Sequence, residues 1–324
     1  MMPKISIGEE PTFSERNGQS PHERSLRQLM QSGIILVDKP PGPSSHQLAA
    51  WARELLNLTR LGHGGTLDPF ATGALTLLLG KATRLTEFIL SSDKTYIAVL
   101  KMDPKLSASV IQDVLKGLEG EIYNVPPVES AVKVRVRTRT IHEIQLLESD
   151  EEAGIHCIRI SCQAGTYIRT IARDIGLLLG SECKLMELHR SRTGVFSQRT
   201  LCSMQQLTDA ALLAEQGEDA ALTKLIAPVE AFLHKMPGAW ARDSAIGSIC
   251  HGAPLAVPGI YSIHDNLKSG DRVVIWSGKG EAVAIGELSV DSNKIAQMST
   301  GEVIRPKVVL MEKDVYPSSW SNRK

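Results

Sequence analysis

Two side chains capable of acid–base or nucleophilic chemistry, His63 and Asp68, lie in one glycine-rich segment, Gly62-His-Gly-Gly-Thr-Leu-Asp-Pro69. Glycine lets a backbone approach a ligand closely, and an aspartate with its ordinary pKa of about 3.9 is ionised and nucleophilic at neutral pH. A structural interpretation is equally open, because aspartate before proline favours turns and a loop histidine can bond to the backbone. The residue types and their spacing therefore indicate a candidate reaction centre without deciding between these interpretations.

A second candidate is a basic segment, because residues 132–140 alternate strictly between basic residues and valine or threonine. A strand with period two would place Lys133, Arg135, Arg137 and Arg139 on one face. Like charges at this spacing repel one another, so we expect a phosphate partner to neutralise them. A neighbouring strand with acidic groups, or plain solvation, is the alternative. The sequence therefore predicts phosphate contacts at Lys133, Arg135 and Arg137.

Several common catalytic motifs are incomplete or missing from the sequence. Gly73 and Gly80-Lys81 are arranged somewhat like a phosphate-binding loop, but six residues separate the glycines and no Ser or Thr follows Lys81. The nucleotide loop needs four residues and that hydroxyl, so nucleotide hydrolysis is not expected. The five cysteines are scattered without a C-x-x-C pair, which predicts no metal site, no disulfide framework and a reducing compartment.

The composition is that of a soluble protein with two domains. At 324 residues the chain exceeds the usual single-domain size, and its 42% apolar content is enough for a core. The formal net charge is zero, so any RNA binding must come from local patches. No run approaches the roughly 20 apolar residues of a membrane helix, and the first residues lack an apolar signal core. We therefore expect no membrane partner and a cytoplasmic location.

Predicted strands and helices must position these residues. An apolar run over 33–38 predicts a buried strand, and after a proline-rich break Ser44 or Ser45 is expected to cap a helix that runs to residue 56. Residues 1–30 lack a period and are expected to be disordered, or ordered only against something else. Further strands are predicted over 95–102, 132–140 and 156–163, and helices near 82–90, 107–118, 167–179, 201–215 and 222–234. Beyond residue 237, short apolar runs and frequent glycines predict a small β-rich domain.

Ordered motifs extend over most of the chain. They are Gly33-Ile-Ile-Leu-Val-Asp-Lys-Pro-Pro-Gly-Pro-Ser-Ser-His46, Gly62-His-Gly-Gly-Thr-Leu-Asp-Pro69, Ala71-Thr-Gly73, Lys81-Ala-Thr-Arg84, Lys94-Thr-Tyr96 and Gly165-Thr-Tyr-Ile-Arg169. In this order they resemble the TruB/dyskerin family of RNA pseudouridine synthases. Farther on, Asp243-Ser-Ala245, His251-Gly252 and Ala256-Val-Pro-Gly-Ile260 resemble the family's C-terminal PUA domain, an RNA-binding β-barrel-like module. One departure is Gly64, where dyskerin-type members usually carry Ser, and it bears only on the fine geometry of the loop.

The resemblance implies an α+β fold. We expect a pseudouridine synthase catalytic domain with a mixed, largely antiparallel central sheet and flanking helices, followed by a C-terminal PUA β-barrel-like domain. The implied boundaries are an N-terminal extension over 1–32, the catalytic domain over 33–236, the PUA domain over 237–316 and a short tail over 317–324.

The resemblance also implies catalytic roles and requires no cofactor. Asp68 would be the catalytic carboxylate, Arg169 would hold it charged, and Tyr96 would stack on the extruded base. From the residues alone, Tyr96 could be a core residue of an alternating strand and Arg169 a surface residue at a helix start. Attack on the base, addition to the sugar and removal of a sugar proton all stay open as routes.

Contacts with RNA are implied for several further residues. His63 would help to shape the pocket, Lys39 and Pro40 would brace the catalytic loop, and Arg190 and Arg192 are candidate phosphate contacts. Binding through such residues should weaken steeply with salt.

The branch of the family is indicated by a segment that the sequence lacks. Bacterial TruB proteins, which act alone on a tRNA T-arm, carry an insertion that grips the tRNA, whereas residues 129–139 here run straight on. The resemblance is therefore to the archaeal and eukaryotic members that serve as catalytic subunits of H/ACA guide ribonucleoproteins. Because the lysine-rich tail of the eukaryotic members is not seen in this sequence, the archaeal type is expected. The implied partners are an H/ACA guide RNA, substrate rRNA or tRNA, and small accessory proteins of the particle. The alternatives are a stand-alone tRNA pseudouridine synthase and a non-catalytic RNA-binding scaffold.

Overall fold

The computed structural model describes residues 2–9, 11–103, 106–126 and 135–317. It divides into two compact units. The terminal unit contains residues 1–34, 79–84 and 226–324, and the central unit contains residues 35–78 and 85–225. In this division the N-terminal residues belong to the same compact unit as the C-terminal residues. The domain boundaries expected from the sequence stay a prediction.

Regular elements alternate along the described residues. The strands are β1 (Lys4–Ser6), β2 (Gly33–Lys39), β3 (Leu61–His63), β4 (Thr72–Leu79), β5 (Lys94–Asp103), β6 (Gly120–Asn124), β7 (Arg137–Asp150), β8 (Ile155–Cys162), β9 (Glu182–Thr193), β10 (Phe196–Ser197), β11 (Ile226–Pro228), β12 (Gly238–Ala241), β13 (Leu255–Ala256), β14 (Ile260–His264), β15 (Arg272–Trp276), β16 (Ala282–Leu288) and β17 (Glu302–Val309). The α-helices are α1 (Leu26–Gln31), α2 (Ser45–Leu55), α3 (Thr86–Leu90), α4 (Ala108–Gly117), α5 (Ile168–Leu179), α6 (Met204–Glu215), α7 (Ala220–Leu225), α8 (Glu230–Leu233), α9 (Asp243–Cys250) and α10 (Ser292–Ile295). No helix in this described part of the chain is long and apolar enough to cross a membrane.

The central unit is built on a mixed sheet in the order β2-β4-β9-β5-β8-β7-β6, with β3 on β4 and β10 on β9. β4 and β9 run parallel, whereas the pairs from β9 to β6 are antiparallel. Alternate residues of β5, from Tyr96 to Met102, are buried in a core with apolar residues of α4 and α5, as the period of a strand requires. The mixed, largely antiparallel sheet predicted from the resemblance is therefore confirmed.

Local signals in the sequence explain several of these elements. Ser44 caps α2 in a capping box with Gln47, which satisfies two amide groups that the first turn would leave unpaired. α5 ends at Gly180, whose φ of 61° is the left-handed conformation that glycine adopts without strain. The predicted elements that became α2, β5, α4, β8, α5 and α6 are confirmed within one to three residues at each end.

Other predicted elements differ from the structure. The helix expected over 222–234 is divided into α7, β11 and α8, because Pro228 cannot continue a helix. The helix expected near 82–90 is a 3₁₀ turn, Gly80–Leu85, followed by the short α3. The expected basic strand begins only at Arg137, and Lys133 lies outside the described residues. The long strand β9 carries Arg190 and had no clear signal in the sequence.

The terminal unit has its own sheet, in the order β1-β14-β12-β15-β16-β17-β13. Its core is a separate apolar cluster from β12 to Tyr316 that also takes in Ile7. The N-terminal residues are ordered against this sheet: Ile5 pairs with Ile263, and Arg24 forms an ion pair of 2.7 Å with Glu230. Of the two states expected for residues 1–30, order against another part of the chain is the one observed for residues 2–9 and 11–30.

Candidate active site

The glycine-rich segment that leads from β3 to β4 is held in place by two buried polar side chains. Lys39, at the end of β2, donates from Nζ to the carbonyls of Pro40, Pro69 and Ala71 at 2.8, 3.0 and 2.8 Å. Ser45 accepts the Leu67 amide at 2.8 Å and donates to the Leu67 carbonyl at 3.3 Å. The bracing role expected for Lys39 is confirmed, and both contacts lie within three residues of Asp68.

A third buried side chain, Arg190 on β9, holds both this segment and the start of β4. Its Nε donates to the Ala74 carbonyl at 2.8 Å, Nη2 donates to Gly65 at 3.2 Å, and Nη1 reaches Thr66 at 3.5 Å. With only 1% of its surface exposed, Arg190 has no face to offer to a phosphate. The prediction that it contacts RNA is therefore corrected, and Arg190 is a positioning residue for the loop.

A glycine makes this arrangement sterically possible. Gly73 lies opposite Arg190 in the parallel pair of β4 and β9 and has a φ of 97°. A Cβ at Gly73 would lie 2.4 Å from the Arg190 carbonyl oxygen, a distance that no side chain tolerates. The glycine in Ala71-Thr-Gly73 thus lets β9 bring Arg190 against the loop.

The loop presents Asp68 to a guanidinium. Asp68 Oδ1 lies 3.0 Å from Nη2 of Arg169, and the side chains of Asp68 and Arg169 are 31% and 30% exposed. The ion pair joins residues that are 101 positions apart in the sequence. Charge-assisted contacts of this kind are among the stronger hydrogen bonds in proteins, while the exposure leaves the carboxylate within reach of a substrate.

The start of α5, which carries Arg169, is positioned by residues that the sequence analysis missed. Buried Asn124, at the end of β6, accepts the Tyr167 amide at 2.8 Å and donates to the Tyr167 carbonyl at 3.3 Å. Thr170 donates to the Val125 carbonyl at 2.7 Å. The sequence Asn-Val-Pro-Pro begins with the last residue of β6. Its prolines predicted only that regular structure ends there, so nothing in it indicated this role.

Tyr96 lies in the core of the central unit, within range of the charge of Asp68. It is 9% exposed and belongs to the same apolar cluster as Leu67 and Ile168, the neighbours of Asp68 and Arg169. Burial raises the pKa of the phenol, and Arg190 opposes that rise, so Tyr96 is neutral at physiological pH. The core interpretation of Tyr96 is correct, and its stacking on a base stays a prediction.

Positive charge and burial shape the other groups around the loop. Burial lowers the pKa of His63, with His46 and Arg190 adding to the effect, so His63 is neutral at pH 7. The rings of His46 and His63 meet edge to face with centroids 4.6 Å apart. Burial and Arg190 lower the pKa of Lys94 to about 8, and burial lowers that of Lys39 despite the opposing charge of Asp68.

The basic residues predicted to bind RNA are placed differently from one another. Arg135 and Arg137 are exposed, and Arg137 pairs in register with Asn124. Arg139 lies beside Gly165, where a Cβ would come within 3.2 Å of the guanidinium. Arg192 is exposed, and its Nε donates to the Gly194 carbonyl at 2.7 Å. Apart from Arg190, the RNA contacts predicted for described residues stay predictions.

Among the residues that the structure describes, no group of three or more His, Cys, Asp or Glu side chains could hold a metal ion.

Four parts of the chain match domains of known families. Residues 4–49 match the DKCLD (NUC011) domain, and residues 53–107 match the N-terminal domain of the TruB family pseudouridylate synthases. Residues 169–234 match the tRNA pseudouridylate synthase B C-terminal domain, and residues 239–310 match the PUA domain. The matches follow the same order along the chain as the motifs.

Whole-chain relatives agree with these matches. The probable tRNA pseudouridine synthase B of Thermococcus onnurineus is 40% identical over 305 residues, which cover 94% of this chain and 91% of that protein. The protein of the same description from Methanosarcina barkeri is 38% identical over 307 residues, 94% of this chain and 90% of its own.

Solved structures are similar over nearly the full length. A chain of an H/ACA RNP bound to a substrate RNA containing 2'-deoxyuridine has a TM-score of 0.91 at 35% identity, covering 99% of this chain and 98% of that one. A chain of a Cbf5-Nop10-Gar1 complex has a TM-score of 0.91 at 37% identity, covering 98% and 97%. Together with the paired Asp68 in its braced loop, these similarities establish that the chain belongs to the TruB/dyskerin family of RNA pseudouridine synthases.

Proposed function

We propose that this enzyme is the catalytic subunit of an H/ACA guide ribonucleoprotein that converts guide-selected uridines of rRNA, and a T-arm uridine of tRNA, to pseudouridine. Support comes from the similarity to chains solved within an H/ACA RNP and a Cbf5-Nop10-Gar1 complex. The match of residues 4–49 to the DKCLD domain adds to it. The sequence also lacks the insertion by which bacterial relatives grip tRNA, so guide RNA and accessory proteins would position the substrate.

The observation that carries the catalytic part of the proposal is the ion pair between Asp68 and Arg169. Conversion of uridine to pseudouridine breaks a C–N glycosidic bond and forms a C–C bond to the same sugar, without net hydrolysis or change of redox state. An ionised carboxylate suits this chemistry as nucleophile or base. Asp68 is held 3.0 Å from a guanidinium and is partly exposed, so it meets the reacting nucleotide from a fixed position.

The target nucleotide must leave its base stack before Asp68 can reach the glycosidic bond. Extrusion costs a few kcal/mol, and least for a base that is already unpaired. A guide RNA that leaves the target uridine unpaired would lower this cost. Tyr96 would form the wall against which the extruded base packs.

Substrate and guide are held, in this proposal, by separate basic surfaces. Exposed Arg135, Arg137 and Arg192 would contact RNA phosphates, and the PUA-matching residues 239–310 would hold the guide RNA. Since the formal net charge of the chain is zero, these local contacts supply the electrostatic attraction. Affinity for RNA should therefore fall as salt is raised.

Replacement of Asp68 by Asn tests the catalytic proposal. In a particle reconstituted with guide RNA and accessory proteins, we expect Asp68→Asn to abolish pseudouridine formation at a defined uridine while RNA affinity stays nearly unchanged. Asp113→Asn is the matched control, because Asp113 is an exposed aspartate on α4, and it should react like the native protein. Full activity of Asp68→Asn would overturn the catalytic role, and an inactive native particle would leave the scaffold alternative in its place.

A stand-alone tRNA synthase is the second candidate, because relatives are described as probable tRNA pseudouridine synthase B. Bare tRNA without guide RNA or accessory proteins separates the two. Weak conversion is compatible with guide dependence, whereas turnover as fast as that of the full particle would favour the stand-alone enzyme.

The cytoplasm is the compartment we propose for this activity. The five cysteines are scattered along the sequence without a C-x-x-C pair, as suits a reducing compartment. Fractionation of the source cells with an antibody against the chain tests this, and recovery of the protein in a membrane or secreted fraction would contradict it.

A further inference from the structure

A groove of about 480 Å³ lies in the central unit beside the catalytic loop. Its polar wall includes His46 and Arg53 of α2 together with His63 and Thr66, and Leu61 and Leu90 are among its apolar residues. We call it the flanking groove. Its volume lies in the range of about 300–1,000 Å³ that is usual for small-ligand sites.

The flanking groove shares the catalytic loop with the active site. His63 and Thr66 line it, and both belong to the segment 62–69 that carries Asp68. The Thr66 carbonyl faces Arg190, and the adjacent Leu67 amide is held by Ser45. A molecule in the groove would therefore lie against a fixed surface two residues from the catalytic carboxylate.

The chemistry of the lining selects a ligand that is both anionic and flat. The groove is lined by Arg53 and includes no Asp or Glu among its described lining residues. His46 and His63 offer ring surfaces at 4.6 Å between centroids, and His63 is uncharged because burial lowers its pKa. RNA bases stack on histidine and arginine side chains, while arginine also binds phosphate. A nucleotide combines these two features.

We propose that the flanking groove binds a nucleotide adjacent to the target uridine, with its phosphate at Arg53 and its base against His46. This inference rests on the proposed function, since only an RNA whose target lies at Asp68 would bring a neighbouring nucleotide into the groove. The groove would thus position the substrate through a second nucleotide, next to the target uridine that Asp68 contacts in the proposed function.

Variants of the two groove residues test the inference in the full chain, with a T-arm stem-loop RNA as the probe. Arg53→Gln should weaken binding about fivefold and reduce the slope of log affinity against log salt by about 0.7, the value for one phosphate of a single strand. His46→Ala should weaken binding about tenfold, as loss of one stacked base does. His46→Phe keeps a flat ring and should restore binding.

The split between KM and kcat separates a substrate contact from a structural effect. Both variants should raise KM and leave kcat at saturating RNA within about twofold of the native value, because uniform binding energy affects KM alone. Lys116→Gln, which removes an exposed charge from α4, is the matched control and should change neither. A fall in kcat without a change in KM would overturn the inference.

An abasic substitution in the RNA identifies the bound nucleotide. Removing the base on one side of the target uridine should weaken binding to the native chain and to Arg53→Gln, yet have little further effect on His46→Ala. Equal losses for the native chain and His46→Ala at both flanking positions would overturn the inference. Because these are binding measurements, they decide it even if the native chain forms no pseudouridine, the result that would instead refute the proposed function.

Discussion

Removal of the buried guanidinium of Arg190 should destabilise the conformation of the catalytic loop. Arg190→Met keeps most of the side-chain volume and removes the donors to the carbonyls of Ala74, Gly65 and Thr66. A buried polar group that loses its partner costs about 1–3 kcal/mol. The bonds to Ala74 and Gly65, at 2.8 and 3.2 Å, should each contribute their full free energy, whereas the 3.5 Å contact with Thr66 should contribute little. We therefore expect Arg190→Met to lower the free energy of unfolding by about 3–5 kcal/mol.

The loss should be confined to the central unit. Hydrogen exchange followed by mass spectrometry reports the free energy of opening segment by segment. Amides of β4, β9 and residues 62–71 should exchange faster in Arg190→Met, whereas those of β15 and β16 in the terminal unit should keep their protection. Because a misplacement of about 1 Å can cost about 100-fold in rate, kcat for pseudouridine formation should fall by at least that factor.

Two further variants set the scale for this measurement. Arg190→Lys keeps the charge, but one ammonium cannot reproduce the fork of the guanidinium, so its loss should be intermediate. Arg192→Met lies two residues away on the same strand and is exposed, so its free energy of unfolding should change by less than about 0.5 kcal/mol. If Arg190→Met were as stable as Arg192→Met and kept the native kcat, the assignment of Arg190 as a positioning residue would be refuted.

Two other perturbations follow from the same loop. Gly64→Ala should lower the free energy of unfolding by about 1–3 kcal/mol, because the new Cβ would lie 2.3 Å from Ile89 Cγ2. In urea unfolding, the double variant Gly64→Ala/Ile89→Ala should lose less free energy than the two single variants lose in sum. Simple additivity of the two losses would contradict this. Because burial holds the pKa of His63 below its ordinary value of 6.5, the unfolded chain binds the proton more tightly, so the free energy of unfolding should fall as pH drops below about 6.5. His63→Gln should make that fall shallower, and an unchanged slope would show that His63 does not carry it.

Much of the central unit could be predicted from local patterns. The alternation in β5, the capping residue of α2 and the apolar periodicity of α5 each reflect a preference that a short segment has by itself, and each prediction agreed with the structure. Where a segment has no such preference, as in β9, prediction failed. The helix expected over 222–234 failed for a different reason, because its apolar residues fitted a helix whereas Pro228 did not permit one.

The candidate site was only partly predictable. Asp68, Tyr96 and Arg169 were found through a resemblance of ordered motifs, and the structure brings Asp68 and Arg169 into contact. Asn124 was missed because its role consists of bonds to the backbone of Tyr167, which is distant in the sequence. Such bonds impose no pattern on the residues that neighbour Asn124. The role of Lys39 was anticipated only from the motif that contains it.

The two arginines of β9 show what the sequence determined and what only the tertiary structure decided. The family resemblance implied one role, phosphate contact, for both, and a spacing of two residues would place both on one face of an ideal strand. In the sheet, the register between β5 and β9 shifts at this point, so that Arg192 lies opposite Thr95 and Arg190 opposite Tyr96. Adjacent residues of β5 point to opposite faces, and a bulge therefore exposes one arginine and buries the other. The sequence determined the charges and the motifs, whereas the neighbouring strand decided which charge faces solvent and which one holds the loop.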